Sequence, residues 1–432
     1  MNKPLALAVS ALVFAAASVA VAGTSGTNLR VAVSVTGAPA DGESWVAGIS
    51  ADGRFVAFTS RADNLVPDDA NGQVDAFVRD LQNGQIERVS VAEGGKQGNL
   101  DSAATSISAA GRYVVFDSAA SNLVEGDLND KRDVFVRDRL RGKTTLVSVS
   151  SRGRQGNGDS GSGVISANGR YVAFVSGATT LVPRDSNQAA DVFVRDLKTS
   201  NTFRVDVGPL SRQARRGSVS GSLAISANGR YVAFASTAPN LVEHDTNHVS
   251  DVFVRDLLTA RTTRVSVTSS GKQVRNASSS PSLSAGGRYV VFVSAAANLV
   301  KRDTNHRPDI FGRDRIRRKT TILSVSSAGA QSDAESRDPR ISPDGRFVAF
   351  TSWATTLVAG TSGRGELYVC DVGGGQTVLA SLGADGAEGD DTSGPAAGFD
   401  AAGHYLAFSS HARNLVSGET AGEEAYVREF GP

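Results

Sequence analysis

The sequence predicts an all-β fold, a seven-bladed β-propeller with four antiparallel strands in each blade. Three observations lead there: a regular repeat, strand and hairpin signals inside every copy, and chain ends that complement each other.

The repeat is long and even. The glycine of a G-R-[FY]-V pattern falls at Gly53, Gly111, Gly169, Gly229, Gly287, Gly345 and Gly403, at steps of 58 residues with a single step of 60. Self-similarity at a fixed period of this length marks a propeller or a solenoid.

Each copy carries its own strands. ISANGRYVAFVS holds two short strands, around 163–166 and 170–176, about an Asn-Gly turn, the strongest short hairpin signal. DVFVRDL reads as a third strand, and NTFRVDV or TTRVSVT as a fourth. β-branched and aromatic residues fill these runs, and Gly, Asp, Asn and Ser clusters separate them. The second strand is apolar on both faces, with Tyr171, Ala173 and Val175 on one and Val172 and Phe174 on the other. Such strands belong between two packed layers.

The ends fit one another. LRVAVSVTGAPADGES near the N-terminus matches fourth-strand text, whereas EAYVREF at the C-terminus matches only a third strand. The strand within residues 28–36 is therefore expected to complete the last blade and close the ring. An open solenoid is the structural rival, and it would need capping units.

Composition sets the class. Of 432 residues, 40% are hydrophobic and 21% charged, with a net charge of +1, so the general electrostatic argument for nucleic acid is absent. The N-terminal MNKPLALAVSALVFAAASVAVAG has Lys3, an apolar run from Leu5, and the small-x-small site Ala20-Val21-Ala22. It reads as a secretory signal peptide over 1–22, with an uncleaved membrane anchor as the alternative. A single propeller domain is expected over 23–432, monomeric and with no integral membrane segment after cleavage. Cys370 is the sole cysteine, so no internal disulfide forms. The expected compartment is a bacterial periplasm or the medium.

Five copies contain a D-x-N-x-x-x-D loop between the second and third strands: Asp69/Asn71/Asp75, Asp127/Asn129/Asp133, Asp185/Asn187/Asp191, Asp245/Asn247/Asp251 and Asp303/Asn305/Asp309. Copies six and seven are one residue shorter there and lose it. Oxygen ligands at these offsets suit a hard cation such as calcium. Asp and Asn also close turns through their own backbone, and this turn chemistry is the favoured reading. Gln and Ser recur five apart in the loops leading to the next blade (Gln97/Ser102, Gln155/Ser160, Gln213/Ser218, Gln273/Ser278 and Gln331/Ser336). Loop-to-blade hydrogen bonding is expected of them, with glycan or peptide contact as the alternative. The recurring arginines after the glycine and in V-R-D are read as Arg–Asp networks within blades, with the Asp after each V-R-D arginine as the partner.

What does not repeat is charge. Residues 201–330 hold 19 Lys+Arg against 8 Asp+Glu, while residues 359–432 hold 3 against 11. An asymmetric disk of this kind orients an encounter with a charged partner. Five histidines form neither H-x-H nor H-E-x-x-H, and no G-x-S-x-G elbow occurs. His248 and His306 hold equivalent loop positions in adjacent copies, where a shared metal and plain loop exposure are both open.

The pattern S-[AP]-[DN]-G-R-[FY]-V-A-F-x-S followed by D-V-F-V-R-D resembles the TolB-type, WD-like propeller repeat, with ISPDGRFVAFTS at 341–352 the nearest copy. The resemblance covers about residues 28–432 and implies an exported propeller. It transfers no catalytic residue, and the α/β and hydrolase domains that accompany related propellers are not expected. The function expected is a non-catalytic binding scaffold for an envelope or extracellular protein or a glycan. The alternatives are a propeller enzyme of lyase or lactonase type, using a cation and carboxylates on the loop face, and a structural envelope component.

Overall fold

A computed structural model describes residues 26–418 and 422–430. The expected signal peptide lies outside the described residues.

Seven four-stranded antiparallel sheets make the propeller. Blade one runs from the centre outward through Ser44–Ile49, Phe55–Ser60, Asp75–Asp80 and Ile86–Arg88. Blades two to six keep this plan. Blade seven takes Ser393–Phe399, Tyr405–Ser410 and Glu424–Glu429 from the C-terminal end and Thr27–Arg30 from the N-terminal end. Thr27 pairs with Glu429 and Arg30 with Tyr426, so the ring closes as the chain ends predict. The Val31 amide then donates to the Ala425 carbonyl at 2.7 Å. Closure leaves no long unpaired sheet edge.

Packing explains the pattern of the second and third strands. Phe58 and Phe77 stand opposite each other and stack at 5.5 Å. The same pair recurs in every blade, with Tyr368 and Tyr426 as the partners in blades six and seven. Apolar clusters lie between neighbouring blades; Phe58 and Phe77 join Val31, Ala407 and Val427 at the seam of blades seven and one. Each blade therefore completes its neighbour's core, and none is a closed unit by itself.

The repeated glycine has two physical causes. Gly53 takes φ 72°, and a Cβ there would stand 2.5 Å from the Tyr405 ring of the preceding blade. At Gly111 the gap to Phe55 would be 2.3 Å. Only glycine meets both demands.

The turns between first and second strands ring one end of the central channel. The Ala51 amide donates to the Ala109 carbonyl at 2.8 Å, Ala109 to Ala167 at 3.0 Å, Ala227 to Ala285 at 3.0 Å, and Ala401 back to Ala51 at 2.9 Å. We call this end the turn face. The D-x-N-x-x-x-D loops and the inter-blade loops lie on the other, the loop face.

Candidate functional site

The five aspartate loops are knitted into the blades. Asn71, Asn129, Asn187, Asn247 and Asn305 each donate from Nδ2 to the aspartate four residues on, at 2.6–2.9 Å. The same Nδ2 atoms reach the carbonyls of Gly98, Gly156, Ala214, Val274 and Ser332 in the following inter-blade loop. Ser90, Ser148, Ser266 and Ser324 donate to Asp75, Asp133, Asp251 and Asp309 at 2.5 Å. In blade three this serine is Asp206, whose burial beside Asp191 pushes its carboxyl well above the usual range.

The first aspartate of each loop is held differently in different blades. In blades one, three and four an arginine of the fourth strand lies against both carboxylates: Arg88 on Asp69 and Asp75, Arg204 on Asp185 and Asp191, Arg264 on Asp245 and Asp251. Leu146 and Ile322 take that place in blades two and five. There Gln155 donates to Asp127 at 3.0 Å, and Gln331 donates to Asp303 and Asp309 at 2.9 and 3.0 Å. Burial raises the carboxyls of Asp127 and Asp303 and pushes Asp133 up to about 6. Gln213 and Gln273 bond Asp185 and Asp245 in the same way, so the recurring glutamines tie loop to blade. Among the described residues no group of three or more His, Cys, Asp and Glu is arranged to hold a metal ion. His248 and His306 sit at φ 61° and 57°, the left-handed place that Gly72, Asp130 and Gln188 hold in the other loops.

Blades six and seven compensate for their shorter loops. Glu366 and Glu424 open the third strand where the other blades have Asp. Glu366 accepts from the Ser381 hydroxyl, as Asp does from serine in the other blades.

The expected Arg–Asp pairing within blades holds for the arginines after the glycine and needs correction for those of V-R-D. The Asp after each V-R-D arginine pairs with the arginine that follows the glycine: Arg54–Asp80, Arg112–Asp138, Arg170–Asp196, Arg230–Asp256 and Arg288–Asp314, at 2.6–2.7 Å. Successive strand residues point to opposite faces, so Arg and Asp neighbours in sequence cannot meet. The V-R-D arginines instead cross to the preceding blade, where Arg79, Arg195 and Arg313 donate to the carbonyls of Val31, Ser150 and Thr268.

With the repeated polar residues engaged in the frame, the blade-specific residues stand out at the loop-face mouth of the channel. The second residue of the innermost strand is Ala103, Gly161 or Ser279 in blades two, three and five, but Trp45 in blade one and Arg337 in blade six. The residue after the second strand is Ala119, Gly177 or Ala295 in those blades, but Arg61, Trp353 and His411 in blades one, six and seven. One half of the mouth is thus walled by large side chains, and the blades opposite carry small ones. Arg61 stacks over Trp45 at 5.4 Å and pairs with Glu43 at 3.4 Å. The Trp45 indole donates to Glu423, whose carboxyl is raised by burial and lowered in part by Trp45 and His411. Arg337 pairs with Glu335 at 2.7 Å. Gly365 provides the space for the Trp353 indole, since a Cβ there would lie 2.9 Å from Nε1. At the turn-face end of the channel lies a cleft of about 240 Å³, lined mostly by small and aliphatic side chains from all seven blades, with Phe399 and Arg340 among them. Sequence reasoning missed this half-ring. Its signal was present, as a break in residue size at two fixed places of the repeat.

No protein-family model and no curated protein matches the chain. Among solved structures, the β-propeller domain of the Trilobed protease from Pyrococcus furiosus aligns with a TM-score of 0.51 and 12% identity, over 89% of this chain and 93% of that one. Acylaminoacyl peptidase aligns with a TM-score of 0.51 and 11% identity, over 90% of this chain and 51% of that one. TolB from Acinetobacter baumannii aligns with a TM-score of 0.41 and 15% identity, and this chain spans 65% of its length. The two matches at 0.51 agree with the propeller fold. The first of these is described as having an open velcro topology; here the seam between the first and last strands is paired.

Proposed function

We propose that this chain is an exported, non-catalytic binding scaffold that engages an envelope or extracellular protein or a glycan at the loop-face mouth. The carrying observation is the half-ring of Trp45, Arg61, Arg337, Trp353 and His411 on one side of a channel whose repeated polar groups are held by the frame. Aromatic and arginine side chains clustered at a concave mouth are the residue types that dominate binding energy at interfaces. The uneven charge between residues 201–330 and 359–432 supports an oriented approach by a charged partner.

The test is built into the composition, because the chain's two tryptophans both stand at this mouth. Intrinsic fluorescence therefore reports occupancy directly. Titration with cell-wall oligosaccharides and with envelope-protein peptides should give saturable emission changes. The double variant Trp45→Ala and Arg337→Ala should weaken binding about tenfold or more while the propeller remains folded. Binding that survives the double variant would move the contact elsewhere on the molecule.

The raised Glu423 carboxyl beside His411 favours a second reading, a propeller enzyme of lyase or lactonase type, with Glu423 as its acid. Turnover of a uronate or lactone substrate, lost in Glu423→Gln, would replace the scaffold reading.

A further inference from the structure

The repeat frame also exposes where side-chain volume has been removed, and the losses concentrate at one junction. Between blades five and six lies a cavity of about 630 Å³ that opens on the turn face. Four departures from the repeat line it. Gly312 stands where the third strands of all six other blades carry valine: Val78, Val136, Val194, Val254, Val369 and Val427. Cys370 stands where all six other blades carry the V-R-D arginine that spans to the preceding blade. Val372 replaces Leu81, Leu197 and Leu257, and the following turn is Gly373-Gly374-Gly375. Leu323, in place of a valine, fills part of the space and stands 3.0 Å from where a Gly312 Cβ would be.

The cavity has an apolar wall and a charged rim. Tyr289, Val291, Ile322, Leu323, Val325 and Ile341 make the wall. At the rim Asp314 and Asp371 are neutralised by Arg288 and Arg346, at 2.7 and 2.9 Å, and Asp344 accepts from the Ser342 hydroxyl and the Arg346 amide. Arg317 and Lys319 line the opening, and neither makes an ion pair among the described residues. The volume lies within the ~300–1,000 Å³ of small-molecule sites, which join apolar walls to a few placed polar groups.

We propose that this junction is a binding site for an amphiphilic carboxylic acid, its apolar body against the Tyr289–Ile341 wall and its carboxylate between Arg317 and Lys319. Arg317 and Lys319 outnumber Asp344, and above the apolar floor this excess positive charge selects an anion with a hydrophobic tail over a neutral or cationic one. The site lies on the face opposite the tryptophan mouth and is independent of it.

Decanoate is the probe, with decylammonium as the charge-reversed control. Titration calorimetry on the full chain should show saturable decanoate binding, with decylammonium about tenfold weaker or absent. Cys370→Arg restores the residue of the other blades and fills the cavity, so it should abolish binding while keeping the melting temperature. Arg317→Ala with Lys319→Ala alters only the exposed rim and should weaken decanoate about tenfold. If Cys370→Arg fails to fold, the rim variant and the decylammonium control on the unaltered chain decide. Equal binding of decylammonium, no saturable decanoate binding, or undiminished binding by the rim variant would overturn the proposal.

Discussion

Leu29 stands directly opposite Val427, joining the start of the chain to the outer edge of its last blade. Two residues on, Val31 is fully buried in the seam core, while Leu29 remains 44% exposed. Val31→Asp should therefore cost about 3 kcal/mol or more, by placing an unpaired charge in that core. Leu29→Ala should cost about 0.5 kcal/mol or less. Urea denaturation monitored by tryptophan emission measures both, and equal effects would mean that the seam does not support the ring.

Glu366 makes stability depend on pH. Burial and the neighbouring Glu388 push its carboxyl up to about 7, against an ordinary value of 4.5. Folding therefore binds a proton, and the stability this supplies is complete below pH 4.5 and lost as pH rises through 7. Glu366→Gln keeps a partner for Ser381 without the charge. It should match the parent at pH 4.5 and exceed it by roughly 2 kcal/mol at pH 8. A constant difference across that range would assign the titration to another group, such as Asp117 or Asp133, both raised to about 6 by burial.

Asp206 holds a place that serine holds in five other blades, and it faces Asp191 in full burial. Two carboxyls there can keep only one charge cheaply. Asp206→Ser should stabilise the fold by about 1–2 kcal/mol at pH 7. The gain should shrink as pH falls, because the parent carboxyl is then neutral in both states. A loss of stability at pH 7 would show that Asp206 serves a purpose in blade three that the hydrogen bond from Ser218 does not reveal.

The loop carboxylates already accept hydrogen bonds from Asn, Gln, Ser and Arg. Millimolar calcium should leave the melting temperature within about 1 °C of its metal-free value. A rise of several degrees, removed by Leu146→Arg together with Ile322→Arg, would instead place an ion in blades two and five. Those are the two loops where no arginine lies against the carboxylate pair.

Much of this was legible in the repeat. Asn168-Gly169 and its counterparts fix hairpins, and the paired Phe174 and Phe193 fix a two-faced strand, because these are local demands of turn geometry and pleat. The Arg–Asp pairing was not legible. Arg195 and Asp196 are neighbours in sequence, yet the pleat sends one to the preceding blade and the other to Arg170. The mouth was hidden for a related reason: Trp45 and His411 lie far apart in the chain and meet only after the ring has closed.

The sequence by itself determined seven sheets and the strand that shuts them, since a period repeated along a chain is information that needs no coordinates. Tertiary structure alone decided which departures from the period matter. Gly312 on one blade and Cys370 and Val372 on the next each carry less side chain than their counterparts, and these losses become one cavity only when the two blades pack face to face. Free volume belongs to the space between elements, and no strand carries it alone.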